Sequence, residues 1–187
     1  LGGPQNVDWV RLGSAYADPG LLNWDPVTRV GELSQSKKDR LDFEFDVGNE
    51  AGLKAYRITR GESTGRWFWA TGSHWDGVNV DRYAGAIMAE AQYFWDKYGI
   101  VCQGVGLRNE ADFWVSYSSQ PQPTNSQFGQ IAAIIKEHPL LAKAEIFGPS
   151  TLSPSVSGYN SIAGPVTMAE THKLGGSASE LKSLMQT

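Results

Sequence analysis

The spacing of apolar and polar residues changes period several times along the chain, and each change predicts an element. Leu41-Asp42-Phe43-Glu44-Phe45-Asp46-Val47 alternates strictly between apolar and acidic positions, which predicts a strand with one face in water. Leu53 to Thr59 and Trp67 to Thr71 lack clean alternation and read as parallel strands covered on both faces. From Asp81 to Tyr98 the period becomes helical: Tyr83, Ile87, Ala91, Phe94 and Tyr98 form one stripe, with Ala84, Met88 and Trp95 beside it. Asn79 or Asp81 can cap the start of this helix, and Gly99 can supply the left-handed residue at its end. Ile100 to Leu107 then reads as a buried strand, followed by the polar Arg108-Asn109-Glu110.

A second helix is predicted from about Ser126 to Glu137, with Phe128, Ile131, Ala132 and Ile135 on one face and Pro139 closing it. Ala144 to Phe147 reads as a short strand, Ser153 to Gly164 as a loop and Val166 to Ala169 as another short strand. Ser177-Ala178-Ser179-Glu180 is a capping box that opens a last helix. Residues 1–40 carry turn signals at Asp18-Pro19-Gly20 and Asp25-Pro26 and read as an irregular lead-in, leaving residues 41–187 as the folded domain. Strands alternating with helices predict an α/β protein with a parallel sheet, and ligands bind at the carboxyl ends of such strands.

Composition narrows the function. The 187 residues are 41% hydrophobic and 19% charged, enough for a folded core. The formal net charge is −4 and the longest basic run is Lys37-Lys38, so the chain offers no electrostatic footprint for nucleic acid. Cys102 is the single cysteine, which excludes an internal disulfide and a cysteine-based zinc site; its apolar neighbours predict a buried thiol. His74, His138 and His172 are too widely spaced for a metal motif, and neither a Gly-x-Ser-x-Gly elbow nor a phosphate-binding Gly-rich loop occurs, so no metal or cofactor is predicted. No apolar stretch approaches the ~18 residues that span a bilayer. The chain begins at Leu1 without a basic-then-apolar leader, which suits a processed secreted protein and equally a trimmed fragment.

Seven Trp, seven Tyr and seven Phe are the first hint of a ligand, because aromatic faces carry the apolar C–H faces of sugars as well as filling cores; the Tyr93 cluster reads as core. Glu110 follows a predicted strand end, where a half-buried carboxyl can keep its proton and donate it to a glycosidic oxygen while Asn109 holds a substrate hydroxyl. Glu50, in the other Asn-Glu pair, reads as a turn residue. His74-Trp75-Asp76 is either a sugar-lining segment or an exposed loop.

Residues Tyr83 to Phe94, then Tyr98-Gly99-Ile100, the strand, and Asn109-Glu110 with Asp112-Phe113 resemble the fourth-strand region of family 30 glycoside hydrolases and their clan relatives. Ala111 stands where that family has Pro, removing a rigid turn residue. The resemblance spans roughly residues 48–150, with its specific part at residues 81–114. It implies a (β/α)8 TIM-barrel-like fold, a retaining mechanism with Glu110 as general acid/base, and an oligo- or polysaccharide with β linkages as substrate. Gly52 to Gly61 is similar to the second strand, where Arg57 would lie near the nucleophile, and Trp67 to Ala70 to the third. Candidate substrate contacts are Asn109, Arg57, Trp69, His74, Trp114 and His172.

Two alignments of Val166 to His172 remain open. In one, Glu170 is the seventh-strand nucleophile; in the other this is the sixth strand, His172 contacts the sugar, and the nucleophile is missing from the chain. A complete barrel takes ~250 residues, so 187 residues predict a partial or truncated one whose uncovered strand edges could self-associate. A non-catalytic carbohydrate-binding or structural protein on the same partial scaffold is the alternative reading.

Overall fold

Helix capping and strand register define the architecture of the computed structural model, which describes residues 10–14, 20–50, 52–53, 55–60, 75–109, 122–148, 151, 156–162, 164–171 and 177–186. In chain order the elements are β1 (Val10–Ser14), β2 (Leu21–Asp25), β3 (Val30–Leu33), α1 (Gln35–Glu50), β4 (Ala55–Arg60), α2 (Gly77–Tyr98), β5 (Val101–Gly106), α3 (Asn125–Glu137), β6 (Glu145–Phe147), α4 (Val156–Asn160) and α5 (Ala178–Met185). The main sheet has four strands in the order β1-β4-β5-β6, all parallel, and β2 pairs with β3 in a separate antiparallel hairpin.

Because the four parallel strands follow one another in chain order, every crossover steps in the same direction. Right-handed crossovers then place their helices on one face of the sheet. Burial agrees: Tyr56, Ile58, Cys102, Val105 and Ile146 from the sheet share one core with Leu41 and Phe45 of α1, Tyr83 and Phe94 of α2, and Ile131 and Ile135 of α3. Phe94 is the hub, its ring centroid 4.5 Å from Tyr56 and 5.5 Å from Phe45. This winding differs from a doubly wound sheet, whose strand order reverses and whose helices cover both faces. The fold is mixed α/β, and the described residues form no complete barrel.

The central helix ends as its sequence dictates. Asp76 caps α2, accepting from the amides of Val78 and Asn79, and Gly99 closes it at φ 64°, in the left-handed region that costs glycine least. The cap lies before the two positions expected for it. At α3 Thr124 and Gln127 form a reciprocal capping box. Ser177 and Glu180 form the predicted one at α5, with Ser177 N donating to Glu180 Oε2 at 2.6 Å and Glu180 N to Ser177 Oγ at 3.2 Å.

Four sequence readings are corrected. Leu41 to Val47 lies within α1 and is no strand: Leu41 and Phe45, four apart on one helix face, are 1% and 0% exposed, while Phe43 is 81% exposed. Within residues 1–40, β1 joins the main sheet, the β2–β3 hairpin packs on α2, and α1 begins at Gln35, so this region is no irregular lead-in. Glu50 is the last residue of α1. Val166 to Ala169 forms bridges without a full strand, Phe147 pairing with Met168 and Thr151 with Thr171, both parallel.

Polar contacts tie α1 to α2. Asp42 accepts hydrogen bonds from the hydroxyls of Tyr93 and Tyr98, each at 2.7 Å, and from the Lys97 ammonium. Lys37 and Glu90 form a buried ion pair at 2.8 Å. Among the described residues no helix is long and apolar enough to cross a membrane.

Candidate functional site

Hydrogen bonds tie the carboxyl end of β5 to β6 and α2. Beyond Gly106, the Leu107 amide donates to the Phe147 carbonyl at 3.3 Å, extending the β5–β6 ladder, and the Leu107 carbonyl accepts from the buried Tyr83 hydroxyl of α2. Arg108 is 0% exposed, and its Nε donates to Gln122 Oε1 at 3.0 Å. Gln122 stands two residues before Thr124, the cap of α3, and Gln127 of that capping box donates from Nε2 to the Trp75 carbonyl at 2.8 Å. The end of β5, the start of α3 and the start of α2 are therefore pinned together, with half-buried Asn109 at their junction.

Glu110 follows Asn109 directly in the sequence and lies outside the described residues, as do Trp69, His74, Trp114 and His172. Glu170 is described, half-buried, two residues after Met168 and one before Thr171. Its segment runs parallel to β6: the Thr167 and Met168 amides donate to the Ile146 carbonyl, and the Gly148 amide donates to the Met168 carbonyl at 2.8 Å. Thr171 Oγ1 donates to the Thr151 carbonyl at 3.0 Å. This segment is the next position in the sequential sheet after β6, so one strand, β6, separates Glu170's segment from β5.

Arg57 lies lower on the sheet than Asn109. It occupies one row with Gly104 and Glu145 across β4, β5 and β6. Its Nη2 pairs with Glu145 Oε2 at 2.9 Å and its guanidinium stacks over the Phe147 ring at 5.4 Å. Gly104 makes this crossing feasible, since a Cβ there would meet the Phe147 ring at 2.8 Å and Arg57 Cγ at 3.3 Å. The row lies on the face away from the helices.

Trp67 to Thr71, the other predicted strand of this region, lies outside the described residues. Because β4 pairs directly with β5 from Ala55↔Val101 to Thr59↔Gly106, no strand stands between them. A cleft of about 540 Å³, lined by Arg57, Trp95, Gln103, Leu140, Lys143 and Glu145, opens toward the amino ends of β5 and β6, opposite Asn109. Substrate chemistry in parallel sheets belongs to the carboxyl ends of the strands instead. Among the described residues no group of three or more His, Cys, Asp or Glu could hold a metal ion.

Sequence reasoning singled out Asn109 and missed Gln122. The signal for Gln122 was slight: a polar residue between Pro121 and Pro123, two before a capping threonine.

No family model and no curated protein matches the chain. Among solved structures it is similar to the exo-β-1,4-mannosidase Op5Man5 from Opitutaceae bacterium strain TAV5, at 19% sequence identity and a TM-score of 0.47, over 92% of this chain and 28% of that one. The chain spans less than a third of that protein's length.

Proposed function

We propose that this chain carries the acid/base half of a retaining glycoside hydrolase site on a (β/α)8-type scaffold akin to family 30, acting on β-linked oligo- or polysaccharides. The observation that carries the reading is the strand end itself: Arg108-Asn109, immediately followed by Glu110, stands at the carboxyl end of a central parallel strand whose helices all pack on one face. In this reading Glu110 protonates the leaving oxygen and then takes a proton from the attacking water, and Asn109 holds a hydroxyl beside it. Trp69, His74 and Trp114 contribute to the glycan cleft, whereas Arg57, paired with Glu145 lower on the sheet, stands away from it.

The strand count favours one of the two alignments of the segment ending at His172. A nucleophile on the seventh strand stands three positions past an acid on the fourth; Glu170's segment stands two past β5. That count matches the sixth strand, with His172 contacting sugar and the nucleophile on a strand other than those described. Glu170 is then a neighbour of the site and no nucleophile.

The experiment is turnover of a panel of aryl β-glycosides and β-linked oligosaccharides by the full-length protein and its Glu110→Gln variant, with circular dichroism to establish folding. Loss of turnover in a folded variant is expected, by ~10²–10⁴-fold for a general acid. Unchanged turnover removes Glu110 from the mechanism, and sugar binding without turnover by the unaltered protein replaces the enzyme reading with a carbohydrate-binding one.

A further inference from the structure

The geometry points to a second glycan-binding site in the cleft at the amino ends of β5 and β6, where a pyranose ring of an oligosaccharide stacks on Trp95 and its hydroxyls meet Gln103, Lys143 and Glu145. By sequence, Trp95 belongs to an aromatic cluster that reads as core. It is nevertheless 45% exposed, and Val101, the first residue of a central strand, is 38% exposed. Both line the same cleft of about 540 Å³ with half-buried Leu140, so this apolar surface is gathered in one concave place. A cleft of ~300–1,000 Å³ that joins an apolar lining to a few polar groups is the usual form of a small-ligand site.

The polar lining selects the ligand. Gln103 and Lys143 are exposed and make no side-chain hydrogen bond or ion pair among the described residues, leaving an amide and an ammonium to meet a ligand. Arg57 and Glu145 pair with each other at 2.9 Å, and the Glu145 side chain, 45% exposed, keeps acceptor capacity beyond that pair. Nucleic acid would need a run of cations, and Lys143 is the single cation of this lining outside the ion pair. The core of a protein–protein interface is depleted of charge, which this lining is not. An exposed aromatic beside an amide, an ammonium and a carboxylate fits a sugar, whose C–H face is apolar and whose rim of hydroxyls both donates and accepts.

Both sides of the cleft are fixed before a ligand arrives. The Trp95 carbonyl accepts from the Gly99 amide at 2.9 Å in the left-handed cap that turns the chain from α2 into β5 and Val101. On the other side, the Leu141 amide donates to the His138 carbonyl and the Ala144 amide to the Leu141 carbonyl. The Lys136 ammonium of α3 donates to the carbonyls of Ala142 and Ala144, bracing the turn that carries Leu140 and Lys143. Such preorganisation lowers the entropic cost of binding.

The test titrates the full-length Glu110→Gln protein, in which the proposed acid is removed, with cellohexaose, mannohexaose and xylohexaose. NMR follows the Trp95 indole N–H and the Gln103 side-chain amide, assigned from their loss in Trp95→Phe and Gln103→Glu. Saturable shifts of both resonances with at least one of the three sugars are expected. Trp95→Ala is expected to weaken this binding, read at Gln103, roughly tenfold, and Gln103→Ala, read at Trp95, roughly threefold. Neither substitution, made without Glu110→Gln, should change hydrolysis of a small aryl β-glycoside by more than about twofold. Gln103 is exposed, so Gln103→Ala decides the question if Trp95→Ala fails to fold. Resonances that stay in place with all three sugars overturn the second site and leave the glycosidase reading intact. Equal losses of oligosaccharide binding and aryl-glycoside turnover in a folded Trp95→Ala protein also overturn it, by placing Trp95 in the active centre. Saturable shifts in a protein that turns over no β-glycoside support this site and remove the glycosidase reading alone.

Discussion

Alanine at Gly85 and at Gly129 separates helix propensity from packing within one protein. In a helix with open space around it, Gly→Ala gains ~1 kcal/mol. A Cβ at Gly129 of α3 meets no atom within 4 Å, so the gain is expected in full. That raises the thermal midpoint by roughly 2–4 °C for a chain of this size. At Gly85 of α2 the same Cβ would lie 2.4 Å from Trp24 Cη2 and Cζ3. Carbon pairs rest at ~3.5–4.0 Å, so the indole must move by roughly 1 Å or more. It is tied down: Trp24 Nε1 donates to Asp81 Oδ2 at 3.0 Å, and Asp81 Oδ1 in turn pairs with Arg29 at 3.3 Å. Overpacking costs ~1–3 kcal/mol and the lost indole bond ~1, against the ~1 gained from propensity. Gly85→Ala is therefore expected to destabilise by ~1–3 kcal/mol. Urea unfolding followed by circular dichroism reads both variants, and in a Trp24→Ala background the Gly85→Ala penalty should vanish. Stabilisation by Gly85→Ala in the unaltered background would refute the docking of the β2–β3 hairpin against α2.

Further outcomes follow from the same geometry. Glu90→Leu or Lys37→Met alone strands a buried charge and is expected to cost ~3–5 kcal/mol, while the double variant recovers most of it; equal costs for single and double variants would contradict a coupled pair. Burial raises the Asp42 carboxyl, but hydrogen bonds from Lys97, Tyr98 and Tyr93 outweigh it and hold the group below its ordinary value. Its contribution is thus present above the unfolded value of about 3.9 and is lost as pH falls through the lower folded value, so Asp42→Asn should flatten the acid limb of a stability–pH curve. Burial pushes the Cys102 thiol up to about 12, so a thiol reagent at pH ~8 should leave the native protein unlabelled and modify it only after unfolding. On the sixth-strand alignment proposed above, Glu170→Gln should leave glycoside turnover near that of the unaltered protein.

Elements with long, capped periods were legible in the sequence. The stripe from Tyr83 to Tyr98 with Gly99 behind it, and Phe128 to Ile135 before Pro139, predict α2 and α3 to within a few residues at their starts. Leu41 to Val47 misled because Leu41, Phe43, Phe45 and Val47 fit a period of two, while burial needs only Leu41 and Phe45, which a helix also aligns. The choice is made by partners distant in sequence, Phe94 and Tyr98. Strand β1 is short, and its partner, β4, is more than forty residues on, so local pattern carried little of it. Asn109 was legible because a polar residue ended a buried run. Gln122 was not, because its role depends on the side chain of Arg108, fourteen residues earlier.

If Glu110 supplies a proton to the departing sugar oxygen, as proposed, the cost of removing it depends on the leaving group. Acid assistance matters when the leaving alcohol is basic and hardly at all for an activated phenol such as dinitrophenol. In the full-length protein, Glu110→Gln is expected to lower kcat/KM by ~10²–10⁴-fold on a glycoside with a poor leaving group while changing the glycone-transfer step on a dinitrophenyl β-glycoside far less. Equal effects on both substrates, or none on either, would contradict the assignment of Glu110 as the acid.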